Sequence, residues 1–414
     1  MSLEYTLLSK REYVQRRYGP NVLTRLKKVV KSLTYPLLAI LAALFFKKRN
    51  KLQIQNIRSV LVVNLGLIGD GLLITPTLST LTKELNNDAK VAALLSPASS
   101  TALRNDNSIE KFIYDAFWAD PSMNHRHIPR IKHLILTFRT VRSLRKAQFD
   151  VIINPWVSDQ PLNCLFLRSL KPKNLVGYSF KYAKYFCDYS LEFDETKHVV
   201  DNQQSLLSSY FGEQFRGAFD RSLYYSFPTG ADAPGLDAEI VSGPFIMIAP
   251  FASQKAKDWD EQSWAWVIEH LLARYPDYKI VLTGTSPSTE RAASMIRNFS
   301  DKIINTVGNL SFDEYALLIS QASLLIVVES VAIHLASVFH VPVFVLYSRV
   351  YNYEQFLPIN TKYGISVVDV DCAECFYGCH QPICMNHDVS RVIESIDRLI
   401  DQAVPRRLDS CQLK

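Results

Sequence analysis

Short β-branched runs that end in small or polar residues recur along this chain, each separated from the next by a helix-like segment. "IRSVLVVNLG", "KVAALLSP", "FDVIINPW" and "NLVGYSF" are such runs in the first half. "FIMIAPF", "KIVLTGT", "LLIVVES" and "VPVFVLY" are those of the second. Between them lie segments of helical period, among them Thr75–Asn86, Ile131–Lys146, "DEQSWAWVIEHLLARY" and "VAIHLASVF". Continuous apolar strands alternating with helices of ten to fifteen residues specify parallel sheets covered by helices on both faces. Between the halves, "FPTGADAPGLDAEIVSGP" is rich in Pro, Gly, Ala and Asp and reads as a linker. With 414 residues and 48% hydrophobic content, the chain can fill two cores. The expected fold class is α/β, two Rossmann-like domains whose parallel sheets face an interdomain cleft, preceded by a basic, amphipathic helical arm. The expected boundaries are 1–57 for the arm, 58–228 for the first domain, 229–246 for the linker, 247–395 for the second domain and 396–414 for a tail.

Charge is distributed unevenly. Residues 1–51 carry twelve Lys or Arg against Glu4 and Glu12, a net +10, so a total of +6 leaves −4 for the remainder. Within the arm, "LTYPLLAILAALFF" (Leu33 to Phe46) is uncharged and flanked by lysines. Fourteen helical residues rise about 21 Å, short of the roughly 30 Å of a hydrocarbon core. No small-residue cleavage site follows, so a signal peptide fits poorly. Two readings are open: a helix lying in the interface of an anionic leaflet, or a helix packed on the body with solvated basic flanks. No nucleic-acid reading module accompanies the charge.

Ligands of open parallel sheets collect at the carboxyl ends of strands, and four polar loops fall there. In the first, Gly66 to Gly71, Asp70 is either a helix N-cap or a base pointing into a crevice. The second, "APFASQKAKDWDEQSW", sets Ser253, Lys255 and Lys257 just before a helix, as a phosphate would require, although loop lysines are often merely solvated. The third places Glu329 and Ser330 at a strand end and His334 in the following helix, where it is either a core histidine or a ligand. The fourth, with Thr283, Gly284 and Glu290, suits a ribose or a base edge.

Seven cysteines include Cys372, Cys375, Cys379 and Cys384, spaced C-x2-C-x3-C-x4-C. Four thiolates at this spacing suit a structural zinc or an iron–sulfur cluster, and buried thiols packing a loop are the alternative.

Together these loops resemble glycosyltransferase family 9, the lipopolysaccharide heptosyltransferases. "VLVVNLGLIGDGLLITPTLSTL" resembles the family's opening strand, Gly-Asp loop and Thr-Pro helix. "ESVAIHLASVFHVPVFVLYS" resembles its Asp-Ser/Thr-Gly-x-x-His-Leu-Ala motif, "KAKDW" its Lys-x-Trp, and the cysteine run a C-terminal cluster seen in many members. The resemblance spans residues 58 to about 400. It implies a GT-B fold and transfer of a sugar, heptose foremost, from a nucleotide diphosphate donor such as ADP-heptose to a lipopolysaccharide-core or related glycolipid acceptor. It further implies Asp70 as general base for an inverting displacement. Ser253, Lys257, Thr283, Gly284, Glu290, Glu329, Ser330 and His334 would line the donor site. No cofactor would be required, since lysine and helix ends can carry the leaving charge. From the basic, apolar arm, the expected place is cytoplasmic and peripheral on the inner face of the cytoplasmic membrane, with an anionic surface as partner. The family's Asp-Thr-Gly is Glu329-Ser330-Val331 here, so a branched side chain stands where glycine lets a backbone N–H approach the diphosphate. That departure keeps two alternatives in view, a hexose or N-acetylhexosamine donor and a catalytically silent nucleotide-sugar-binding scaffold.

Overall fold

The β-branched runs form strands, and every strand pair is parallel. The computed structural model describes residues 22–85, 88–115, 130–157, 161–180, 182–230, 234–299, 301–372 and 382–403. The chain divides into two units, Met1–Arg221 and Ser222–Lys414.

The first unit runs α1 (Val22–Phe45), β1 (Ser59–Asn64), α2 (Ile68–Leu73), α3 (Thr75–Glu84), β2 (Lys90–Leu95), α4 (Pro97–Leu103), β3 (Glu110–Ile113) and α5 (Arg130–Ala147). It continues with β4 (Val151–Ile153), α6 (Pro161–Ser169), β5 (Asn174–Tyr178), β6 (Tyr189–Leu191), α7 (Val199–Phe211) and α8 (Gln214–Ala218). The sheet order is β3-β2-β1-β4-β5-β6, so the chain moves outward through β3 and then returns past β1. Right-handed crossovers therefore place α2 to α4 on one face and α5 and α6 on the other. Beneath that second face, Leu61, Val63, Ile152 and Leu175 of the sheet pack on Leu144 of α5 and on Phe166 and Leu167 of α6.

The arm helix α1 joins this face. Ala39 and Ala42 are buried, and Ala42 packs with Cys164, Ala183 and Phe186. Behind the helix, the Arg49 N–H donates to Asp188 Oδ1 at 3.1 Å, and its guanidinium reaches the Lys173 carbonyl at 2.9 Å. The packed-helix reading of the sequence thus holds for the inward side of α1. Its outward side exposes large apolar residues. Among the described residues no helix is long and apolar enough to cross a membrane.

Asp188 is a buried anchor of this unit. Its side chain is fully enclosed and forms a two-pronged ion pair with Arg168 of α6, with Nη2 to Oδ1 at 3.0 Å. It also accepts the Leu175 N–H at 2.8 Å. Truncating Arg168 leaves a buried carboxylate without its cation, so Arg168→Met should cost about 3–5 kcal/mol in urea unfolding. A loss below 1 kcal/mol would show that water compensates the carboxylate.

The second unit runs α9 (Ala238–Val241), β7 (Phe245–Ala249), α10 (Glu261–Arg274), β8 (Lys279–Leu282), α11 (Thr289–Met295), β9 (Ile303–Asn305) and α12 (Phe312–Gln321). It closes with β10 (Leu324–Val328), α13 (Val331–Phe339), β11 (Val343–Tyr347), β12 (Tyr363–Val367) and α14 (Val389–Ala403). The order β12-β11-β10-β7-β8-β9 again reverses about the unit's first strand. Local chemistry sets the helix starts: Asp260 caps α10 through the Ser263 N–H at 2.9 Å, and Ser311 and Glu314 cap each other's N–H groups at the start of α12. Trp259 and Trp264 are buried edge to face, with centroids 5.3 Å apart.

Two stretches differ from their compositional reading. Residues 396–403, expected in a tail, form the last turns of α14. Val392, Ile396 and Leu399 recur there at helical spacing and enter the core. Within the expected linker 229–246, Asp237 caps the single turn α9 through the Glu239 N–H, and β7 already begins at Phe245.

Candidate functional site

In open parallel sheets the ligand crevice forms where strand order reverses, because the two flanking loops diverge there. That point lies between β1 and β4 in the first unit and between β7 and β10 in the second.

At the end of β1, Asn64 begins a set of hydrogen bonds that shapes the loop carrying Asp70. Asn64 Oδ1 accepts the Gly66 N–H at 3.1 Å, and its Nδ2 donates to the Asp70 carbonyl at 2.8 Å. From the neighbouring β2–α4 turn, Ser96 Oγ donates to the Gly66 carbonyl at 2.6 Å and Ser99 Oγ to the Asn64 carbonyl at 2.8 Å. Asp70 is the third residue of α2 and not its N-cap. It reaches back to accept the Leu67 N–H through Oδ2 at 2.6 Å. A Cβ on Gly66 would stand 2.2 Å from that oxygen, so only glycine leaves room for the carboxylate. Asp70 is half-buried.

In the second unit, the ends of β7, β10 and β11 are joined through charged side chains. Lys257 donates from Nζ to Glu329 Oε1 at 2.6 Å, with the two side chains only 12% and 10% exposed. Ser348, just beyond β11, donates to Glu329 Oε2 at 2.8 Å. The ring of Tyr351 lies 4.9 Å from the ammonium. Burial, together with the charge of Glu329, pushes the Tyr347 phenol well above its ordinary range, so it stays neutral and donates to the Phe356 carbonyl at 2.8 Å.

Beside this pair α13 begins at Ser330, whose backbone is extended and whose side chain makes no cap bond. Its Oγ is buried with no hydrogen-bond partner. A buried hydroxyl without a partner at a helix start suits a ligand oxygen better than a closed interior. His334 is buried one turn into α13.

The loop after β7 is held from behind. Asp258 accepts the Ala252 N–H at 2.9 Å and the Arg291 Nη1–H at 2.7 Å, while Arg291 Nε donates to Glu261 at 2.9 Å. The Arg291 guanidinium also covers the Phe251 ring at 5.0 Å. Phe251 packs so closely on Gly284 that a Cβ there would meet it at 2.8 Å.

Lys257, Glu329 and Ser330 therefore come together at the reversal, with His334 behind them. Thr283 and Gly284 end the adjacent strand β8, where Thr283 is buried and its N–H bonds to the Ile248 carbonyl at 3.0 Å. Ser253 and Glu290 are exposed. The sequence reading missed Ser348, Tyr351, Asp258 and Arg291. Ser348 follows a clear strand and was findable by the strand-end rule, whereas Arg291 was hidden beside Glu290. Two Asp-x-Asp pairs occur in the chain, Asp258-Trp259-Asp260 and Asp369-Val370-Asp371. The carboxylates of the first are engaged by Arg291 and by the α10 cap.

Of the cysteine run, Cys375 and Cys379 lie outside the described residues. Cys384 is buried in the second core and Cys372 is half-buried. Near Cys384, burial lowers the His387 imidazole to about 4, and its Nδ1 pairs with Ser366 Oγ at 2.8 Å. Among the described residues no group of three or more His, Cys, Asp or Glu is placed to hold a metal.

Residues 137–382 match the model of glycosyltransferase family 9 (heptosyltransferase). The chain belongs to this family. It is a glycosyltransferase, and its paired six-stranded sheets are those of a GT-B-like fold. Among curated proteins it is similar to lipopolysaccharide heptosyltransferase 3 of Escherichia coli K12, 27% identical over 289 residues, 67% of this chain and 79% of that one. A family 9 glycosyltransferase structure from Veillonella parvula aligns with TM-score 0.64 at 16% identity, covering 86% of this chain and all of the other. The E. coli heptosyltransferase WaaC with ADP-2-deoxy-2-fluoro heptose aligns with TM-score 0.58 at 14% identity, covering 83% and 99%.

Proposed function

We propose that this family 9 enzyme transfers heptose from ADP-heptose to a lipopolysaccharide-core or related glycolipid acceptor, with inversion and without a metal. The observation that supports it most is the Lys257 ammonium held beside the start of α13 at the strand-order reversal. A cation and a helix N-terminus together favour a diphosphate. Relatives named as lipopolysaccharide heptosyltransferases support the choice of sugar and acceptor.

In this reading Asp70 takes the proton from an acceptor hydroxyl as that oxygen bonds to the anomeric carbon. The bond from that carbon to the diphosphate breaks with its electron pair, and ADP departs. Lys257, Ser330 Oγ and the first N–H groups of α13 meet the charge that grows on it. His334, with Thr283 and Gly284 on the next strand, borders the sugar and nucleoside. Ser253 and Glu290 complete the donor rim. Glu329 holds Lys257 in place, and its extra methylene relative to aspartate gives the reach to Ser348 as well.

The basic N-terminus and the outward face of α1 dock the enzyme on the anionic inner face of the cytoplasmic membrane. There a glycolipid acceptor shares its surface.

Calorimetric titration of the full chain with ADP-heptose, a UDP-hexose and a UDP-N-acetylhexosamine tests the donor assignment. Binding of ADP-heptose at least tenfold tighter than either UDP sugar is expected, unchanged by EDTA. Preference for a UDP sugar would transfer the reading to a hexosyl enzyme. Tight binding of ADP-heptose without turnover would favour the silent scaffold.

A further inference from the structure

The first unit exposes apolar side chains on two separate helices of one face. On α1, Leu33, Leu37, Ile40 and Leu44 recur at helical spacing and point outward, Leu44 being 71% exposed. On α5, Ile135 and Phe138 do the same, and Phe138 is 69% exposed. Neither helix contains an acidic residue, whereas α5 alone carries Arg139, Arg142, Arg145 and Lys146 in its described turns. Between Glu12 and Asp70 the sequence contains no Asp or Glu.

Both helices pack on α6. Arg145 of α5 donates to the Ser169 carbonyl at the end of α6 at 2.6 Å, and α1 packs on α6 through Ala42 and Cys164. Both helices also run against the strands. Tyr114, just past the carboxyl end of β3, shares a hydrogen bond with Thr137 of α5 at 2.7 Å. Tyr35 of α1 meets Tyr182, beyond the carboxyl end of β5, with centroids 6.2 Å apart. Arg49, after α1, binds residues at the amino ends of β5 and β6. The apolar part of α5 therefore lies toward the carboxyl edge of the sheet, the edge that carries Asp70 in this unit. Arg142 follows Phe138 by one turn, about 6 Å along the axis. That offset matches an apolar tip seated at the acyl boundary with guanidinium groups at headgroup depth.

We propose that α5 is a second membrane-docking element, which together with α1 seats this unit on a bilayer of anionic lipid with the Asp70 edge toward the surface. This rests on the membrane reading of α1, which it deepens: one amphipathic helix anchors but leaves rotation about its axis open, whereas two helices on one face define an orientation. The occupant is a lipid surface because the exposed apolar side chains of both helices are accompanied on those helices by Arg and Lys and by no Asp or Glu. A protein partner of equal complementarity would need a matched acidic rim.

Flotation of the full chain with vesicles of phosphatidylglycerol and phosphatidylethanolamine, against phosphatidylcholine alone, tests this. Three variants are compared: Ile135→Ser/Phe138→Ser, Arg139→Gln/Arg142→Gln, and Leu37→Ser/Leu44→Ser on α1. Both α5 variants should bind anionic vesicles at least tenfold more weakly, the arginine pair at roughly fivefold per charge. Unfolding midpoints and turnover on a soluble acceptor fragment should be unchanged, since none of these residues is in a core or a site. Loss in the α1 variant with unchanged binding in both α5 variants overturns the role of α5 while leaving the α1 reading intact. Absence of vesicle binding by the unaltered chain overturns both. If the unaltered chain sediments as a dimer that Ile135→Ser/Phe138→Ser dissociates, the face is an interface between copies and the proposal fails.

Discussion

Asp70→Asn should lower turnover by roughly 10²–10⁴-fold while leaving donor affinity unchanged, the loss typical of a removed proton acceptor. The substitution separates chemistry from structure unusually well at this position. Asp70 Oδ2 accepts the Leu67 N–H at 2.6 Å, and the amide oxygen of asparagine can accept the same bond. The loop therefore keeps its shape, and the change in stability should stay within about 1 kcal/mol, the value of one charge at a helix N-terminus. Gly66→Ala gives the complementary result. Its Cβ would press into the carboxylate at 2.2 Å, so it displaces the base without removing it and should also lose turnover. Near-normal turnover in Asp70→Asn, accompanied by a drop in melting temperature, would show the carboxylate to be only a cap.

Lys257→Ala should weaken the nucleotide diphosphate by roughly 10- to 100-fold, the equivalent of one lost charge-assisted hydrogen bond, and leave acceptor KM unchanged. The same change strands Glu329, whose side chain is 10% exposed and is left with the Ser348 hydroxyl on Oε2, so stability should fall as well. Lys257→Ala/Glu329→Gln removes that complication. Stability should recover in the double variant because no carboxylate is left unpaired, but diphosphate affinity should not. Recovery of both would mean that Lys257 serves the fold alone. An unchanged dissociation constant in the single variant would exclude it from the donor site.

Much of the fold was legible because buried parallel strands must be continuous apolar runs. "VLVVN", "FIMIA", "LLIVV" and "VFVLY" offer few other conformations. The elements that escaped are those whose neighbours supply their order. Strand β3 reads "EKFI" and is only half-buried, and β12 reads "YGISV" at a sheet edge. Each borrows its ladder from one partner, so its own composition carries little signal. Helix α4, "PASSTAL", is specified by the cap of Ser96 and by its packing on Gly71, where a Cβ would meet the Ser99 carbonyl at 2.5 Å. Such close contact cannot be read from periodicity.

The candidate site was legible residue by residue but not as a set. Lys257 and Glu329 stand at two different strand ends, and their ion pair spans 72 positions. Only the strand order, with β10 returning to lie beside β7, makes them neighbours. Ser348 and Tyr351 enter through β11 for the same reason. The arm was the reverse case. Its apolar and basic character was plain, but composition could not separate the side that packs through Ala39 and Ala42 from the side that faces outward.

The most direct measurement is product analysis with the full chain, ADP-heptose and a heptose-free lipopolysaccharide acceptor. Mass spectrometry should show one heptose added for each ADP released. The anomeric coupling of the product in NMR should be opposite to that of the donor, as a single displacement assisted by Asp70 requires. Retained anomeric configuration, or ADP release with no heptose on the acceptor, would contradict it.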